Sequence, residues 1–199
     1  MPKPVLVVAS QNLHKVGEIK VILSDLPLVV KGADEAGLPQ VIEDGATFED
    51  NAVKKALTAA KALGCMALAD DSGLMVDWLN GEPGVHSARY AGSPTNDQLN
   101  NEKLLSKLGG VPWEKRDARF VCVIALATPE GEVITYTGTC PGKIAFEPRG
   151  NNGFGYDPLF VVPELSQTFA ELDPEVKNRI SHRAKALAQL RQGLREKFA

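Results

Sequence analysis

Two short apolar runs, the β-branched PVLVVAS (4–10) and MALAD (66–70), are set among segments whose apolar residues recur at helical spacing. This alternation constrains the chain most, because short buried strands joined through helices build α/β sheets with parallel neighbours. After the first run, SQN breaks the strand, and Val16, Ile19, Ile22, Leu23 and Leu26 mark a helix over Lys15–Leu26. A second helix is predicted from Phe48 to about Leu63. Thr47 and Asp50 have capping-box spacing, with Asp in place of Glu or Gln, and Gly64 suits the position past its end. MALAD then reads as a strand with DSG at its C-terminal end. A helix from Thr95 to Leu108 stops at two glycines. ARFVCVIALAT (118–128) and EVITYTGTC (132–140) flank the turn PEG as a hairpin, and PLFVV (158–162) is one more strand. Asp173-Pro174 reads as an N-cap followed by Pro at the first helical position. The last helix starts near Ser181 and is expected to bury Leu187, Leu190, Leu194 and Phe198. The pattern predicts an α/β fold with a mixed sheet, and 79–97 is the expected long functional loop or lobe junction.

At 199 residues, the length fits one domain, or one with a small lobe, with no clean linker. The net charge of -3 supplies no field for duplex nucleic acid, so a nucleic-acid partner is not expected. Cys65, Cys122 and Cys140 are far apart and lack C-x-x-C spacing, which points to neither a disulfide framework nor a zinc site. The apolar run Val5 to Ala9 is too short for a signal peptide or membrane span, and no later stretch is long enough. The expectation is a reduced, cytoplasmic protein with no membrane partner.

Four polar clusters, and the opening of the last helix, are candidates for chemistry. SQNLHK (10–15) lies between strand and helix, where free backbone N–H groups and the helix dipole favour phosphate, with Ser10, Asn12 and Lys15 adding donors. An ordinary N-cap with a surface lysine is the competing reading. IEDGATFEDNAVKKA (42–56) gathers Glu43, Asp44, Glu49 and Asp50 ahead of Lys54 and Lys55; the dipole explains the acids of the first turn, while Glu43 and Asp44 precede the helix. ADDSG (69–73) is either a strand-end turn or a site needing fixed negative charge for metal or water. GNNGFGYDP (150–158) is not a dinucleotide fingerprint; Phe154 and Tyr156 form either a face for a base or a tight loop folded into the core. His182 and Arg183 at a helix start oppose the dipole, a local violation of the kind found at functional sites.

SxNxxKxxE (10–18), TFxxNAxxKA (47–56), ADDSGL (69–74), PGxxSARY (83–90), GFGYDP (153–158) and SHR (181–183) occur in that order. Nearly end to end, the chain resembles the inosine triphosphate pyrophosphatase family, house-cleaning hydrolases of deaminated purine nucleoside triphosphates. The resemblance implies a long mixed sheet flanked by helices, two lobes around a nucleotide-binding cleft, and a homodimer. It also implies Mg²⁺ dependence and conversion of ITP, dITP and XTP to monophosphate plus pyrophosphate. Carried over by position, Ser10, Gln11, Asn12, Leu13, His14 and Lys15 match the triphosphate loop and Lys55 a lysine near the phosphates. Asp71 matches the proton acceptor and metal-site aspartate, and Ser72 a substrate contact. Phe154, Gly155, Tyr156 and Asp157 match the nucleoside segment, and Lys177, His182 and Arg183 the base-recognition group. Many relatives carry a metal-ligating Glu at the position of Ile42, so Glu43, Asp44 and Asp70 are the candidates to join Asp71. Mn²⁺ accepts the same oxygen ligands as Mg²⁺. Without metal and substrate, one of the two aspartates should be harder to ionise than a free one. Two alternatives compete: a related pyrimidine-selective nucleotide pyrophosphatase, whose loop favours an arginine at Lys15, and a non-catalytic nucleotide sensor, which needs no base at Asp71.

Overall fold

The computed structural model describes residues 3–38 and 41–198, with side chains as far as Glu196. The elements are β1 (Val5–Val8), α1 (Leu13–Ile22), β2 (Val29–Gly32), α2 (Ala33–Ala36), α3 (Phe48–Leu63), β3 (Met66–Val76), α4 (Asp97–Lys107), β4 (Asp117–Ala127), β5 (Val133–Ile144), β6 (Phe160–Val162), β7 (Gln167–Thr168), α5 (Pro174–Ile180) and α6 (His182–Phe198). The strands form one sheet in the order β2-β1-β3-β4-β5-β6-β7. β1 pairs in parallel with β2 (Leu6 with Val30) and with β3 (Leu6 with Met66), whereas β6 is antiparallel to β5 and to β7. The expected mixed α/β sheet is present.

Local chemistry sets the helix ends that matter to the site. Thr47 Oγ1 accepts from Asp50 N–H at 3.1 Å and Asp50 Oδ2 accepts from Thr47 N–H at 3.1 Å, the reciprocal cap read from the sequence. Gly64 ends α3 at φ 61°, a left-handed conformation that favours glycine. Asp173 caps α5 by accepting from Glu175 N–H, with Pro174 following. α1 ends at Ile22 rather than Leu26, although Leu26 is still buried. The main departure is β3, expected to stop at Asp70 but extended to Val76. DDSG is therefore strand, not turn.

The chain folds into two compact units. The first comprises Met1–Asp71, Cys122–Gly138 and Arg183–Ala199; the second comprises Ser72–Val121 and Thr139–His182. The core of the first unit joins Leu6, Val8 and Leu68 of the sheet to Ile19 of α1 and Leu187, Leu190 and Leu194 of α6. The last three were predicted on that face; Phe198 lies outside the described side chains. The core of the second unit packs Leu104 of α4 and its C-cap Leu108 with Leu74, Phe120, Phe160 and Phe169. All of 79–97 belongs there, with a 3₁₀ turn over Gly84–Arg89 and another ending at Leu79. Among the described residues, no helix is long and apolar enough to cross a membrane.

Candidate active site

In the first unit, strand β3 delivers Asp70 and Asp71 into a network of buried charge. Neighbouring side chains leave a strand on opposite faces, so the pair can occupy different surroundings. Asp70 is fully buried, and its Oδ2 lies 3.0 Å from Lys15 Nζ and 3.5 Å from Arg183 Nη2. Arg183, itself buried, also pairs with Glu18 of α1. Burial opposes ionisation of Asp70, but Lys15, Arg183 and Lys55 outweigh it and hold the carboxyl well below the usual carboxylate range. Asp70 is thus an ion-pair centre for two cations.

Asp71 differs. Burial pushes its carboxyl above the ordinary value, against the lowering effects of Lys55 and the Asn51 hydrogen bond, and Glu43 adds to the rise. The expectation that one of the pair would be hard to ionise is met by Asp71. Asn51 Nδ2 donates to Asp71 Oδ2 at 2.9 Å. Lys55 Nζ reaches Glu43 Oε1 at 2.5 Å and the Asp70 carbonyl at 2.6 Å. The acids before α3 are thereby sorted: Glu43 belongs to the network, Asp44 pairs with exposed Lys54 at 2.6 Å, and Ile42 is 73% exposed.

The strand-to-helix loop forms an N-cap. Asn12 Oδ1 accepts from His14 N–H at 3.0 Å and Lys15 N–H at 3.2 Å, and Ser10 Oγ accepts from Asn12 N–H. Gln11 donates to the Leu38 carbonyl, while Leu13 and His14 are exposed. The capping reading of SQN holds, but Lys15 is no surface lysine: its side chain is 16% exposed and turned to Asp70. No cluster of three metal-ligating His, Cys, Asp or Glu side chains occurs among the described residues. Two carboxylates, Glu43 and Asp71, fit Mg²⁺ nonetheless, because that ion commonly takes one or two carboxylates and completes its shell with water and substrate phosphate.

In the second unit, Asp157 organises the aromatic loop. Its Oδ2 accepts from Phe154 N–H at 3.0 Å and from Lys177 Nζ at 2.7 Å, and that ammonium lies 4.9 Å from the Phe154 ring centroid. A Cβ on Gly153, at φ +75°, would meet Asp157 Oδ2 at 1.9 Å, so only glycine fits. Helix α4 grips Gly155 at both backbone groups: Asp97 Oδ2 accepts its N–H at 2.8 Å, and Asn101 Nδ2 donates to its carbonyl at 3.0 Å. A pocket of about 520 Å³ beside the loop is lined by Asp97, Asn101, Leu105, Phe154 and Pro158. Tyr156 folds into the core and donates to the Ser87 carbonyl at 2.7 Å, whereas Phe154 stays half-buried. His182 stacks on Phe120, with centroids 4.7 Å apart. Ser72 is half-buried on β3.

The sequence pattern that defines the Ham1 family matches residues 6–193. The chain belongs to the Ham1 family. A dITP/XTP pyrophosphatase of Shouchella clausii is 52% identical over 187 residues, 94% of each chain. One from Desulforamulus reducens is 57% identical over 183 residues, covering 92% of this chain and 91% of the relative. The Ham1 protein of Staphylococcus aureus superposes with a TM-score of 0.88 at 47% identity, over 97% of this chain and 99% of that one. Within this Ham1 frame, Glu18, Asn51, Asp97 and Asn101 were not singled out as site residues. The signal for three of them was spacing: Asn51 stands four residues before Lys55, and Asp97 four before Asn101, which puts each pair on one helix face.

Proposed function

We propose that this Ham1-family chain hydrolyses deaminated purine nucleoside triphosphates (ITP, dITP and XTP) to the monophosphate and pyrophosphate. Family membership and the dITP/XTP pyrophosphatases among its relatives support the reaction class. The observation that carries the mechanism is the placement of buried Asp71, held by Asn51, beside the Lys55–Glu43 pair. Asp71 takes a proton from water, the resulting hydroxide attacks phosphorus, and the anhydride between the first and second phosphates breaks. Lys15 and Lys55 offset the roughly four negative charges of the triphosphate. Glu43 and Asp71 would hold Mg²⁺, which would neutralise charge on the phosphate oxygens and the departing pyrophosphate. Phe154, Asp157, Lys177, His182 and Arg183 recognise the nucleoside. A guanidinium has five donors, so Arg183 can hold Glu18 and Asp70 and still donate to the C6 oxygen of hypoxanthine or xanthine, where adenine presents an amine.

The test is pyrophosphate release from ITP, dITP, XTP, ATP and dTTP, with Mg²⁺ and with chelator. Preference for the first three, dependent on Mg²⁺, is expected. Preference for dTTP would place the chain with the pyrimidine-selective enzymes, and nucleotide binding without turnover would make it a sensor. A homodimer in the cytoplasm is part of the same reading; light scattering at micromolar concentration checks the dimer, and cell fractionation the compartment.

A further inference from the structure

Asn51 and Lys55 leave the same face of α3 one helical turn apart, and each ties the segment before the helix to strand β3. Lys55 joins the Glu43 carboxylate to the Asp70 carbonyl. Asn51 joins the backbone at Gly45 to the Asp71 carboxylate: its Oδ1 accepts from Gly45 N–H at 2.7 Å, and its Nδ2 donates to Asp71 Oδ2 at 2.9 Å. These contacts fix the amide orientation, since a carboxylate requires a donor and a backbone N–H an acceptor. The side chain is 1% exposed, so solvent does not compete for either bond. Gly45 leaves no slack on the other side, because a Cβ there would lie 2.7 Å from Asn51 Oδ1 and 2.7 Å from Asp50 Cβ. Asn51 is thus clamped between a close-packed backbone and the Asp71 carboxylate.

We propose that Asn51 is a positioning residue for hydrolysis: it sets the plane of the Asp71 carboxylate while holding the Glu43–Gly45 segment at a fixed distance from it. The inference rests on the reading of Asp71 as proton acceptor. A buried donor on one carboxylate oxygen removes rotation about the terminal side-chain bond, and proton transfer depends steeply on such alignment. Misplacement by about 1 Å can cost roughly a hundredfold in rate.

Asn51→Asp tests this with little change of shape. The new carboxylate still accepts from Gly45 N–H but turns an oxygen, not a donor, toward Asp71. The expected result is a kcat for ITP lowered about 30- to 100-fold, with KM, and the affinity for inosine monophosphate measured by calorimetry, within about threefold of wild type. In an Asp71→Asn background the same substitution should cost less than about twofold, because the group through which Asn51 acts is gone. Asn51→Ala, which adds no charge, covers the case in which Asn51→Asp does not fold, and should show the same split between kcat and KM. An unchanged kcat, an equal loss in the Asp71→Asn background, or a parallel loss of inosine monophosphate affinity would overturn the positioning role and leave Asn51 as cement for the fold. Wild-type turnover by Asp71→Asn alone would overturn the reading of Asp71, and the inference with it.

Discussion

Adjacent side chains on an extended strand point to opposite faces, and in β3 this turns a repeated residue into two different groups. Asp70 is held ionised by Lys15 and Arg183 at zero exposure, while burial pushes the Asp71 carboxyl up. The two asparagine variants should therefore fail in different ways. Asp71→Asn should lower kcat by about two to four powers of ten, the size of a general-base effect, with its melting temperature nearly unchanged. Asp70→Asn should cost about 3–5 kcal/mol of stability, since it strips two cations of a buried partner, and denaturant unfolding will show it. A stable Asp70→Asn protein would mean that the ion pairs contribute little to folding. Arg183 combines its pairs to Asp70 and Glu18 with the proposed base contact, so Arg183→Ala would confound the roles. Arg183→Lys separates them: an ammonium keeps the charge beside Asp70 but loses the planar fork. The ratio of kcat/KM for ITP to that for ATP should fall about tenfold, corresponding to about 1.4 kcal/mol of lost discrimination, while the melting temperature drops little. An unchanged ratio would remove Arg183 from base recognition.

α4 serves the second unit as a scaffold whose first turns hold the aromatic loop through its backbone. Asp97 and Asn101 bind the N–H and carbonyl of the same glycine, and Gly155 at φ 61° carries no side chain of its own to anchor it. Asn101→Ala should raise the KM for ITP about three- to tenfold, the equivalent of one hydrogen bond of about 1 kcal/mol, and leave kcat within about twofold. An unaltered KM would limit α4 to packing. Elements with strong local signals were legible in the sequence: α3 with its capping box and terminal glycine, and α5 with its Asp-Pro start. β2 was not, because VVKG owes its strand conformation to parallel pairing with β1 rather than to its own four residues. The two residues of β7 carried no signal at all. DDSG resembled a turn for a related reason. Local propensity counts two aspartates, a serine and a glycine against a strand, while the cations that offset them arrive from residues 15, 55 and 183. The ordered motifs located Lys15, Lys55 and Asp71. They could not show that Lys15 faces Asp70, or that Asn51 donates to the Asp71 carboxylate, because those pairings exist only once α1, α3 and β3 are assembled.

Each of the two units closes a core of its own, and neither core includes the carboxylates proposed to hold a metal. In the first, leucines and isoleucines of β1, β3, α1 and α6 are almost fully buried; in the second, Phe120 lies 4.6 Å from Phe160 and 5.7 Å from Phe169, centroid to centroid. Small metal-dependent domains unfold without their ion because the ion supplies the binding free energy that folds them. This chain is built otherwise. The deepest acid, Asp70, already has Lys15 and Arg183, and Glu43 has Lys55, so neither depends on Mg²⁺ for a counter-charge. Chelation should therefore abolish turnover while the protein keeps a cooperative thermal transition. Mg²⁺ should act on stability only by mass action. At ten times its dissociation constant, a ligand bound to the native state adds about 1.4 kcal/mol. For a protein of this size that raises the melting temperature by about 3–6 °C. The increment should disappear in Asp71→Asn and shrink in Glu43→Gln, whereas Asp44→Asn, whose partner is exposed Lys54, should retain it. Differential scanning fluorimetry across a Mg²⁺ titration measures all four proteins side by side. Loss of the cooperative transition on chelation would make the metal structural, and an increment that survives in Asp71→Asn would move the metal away from this carboxylate.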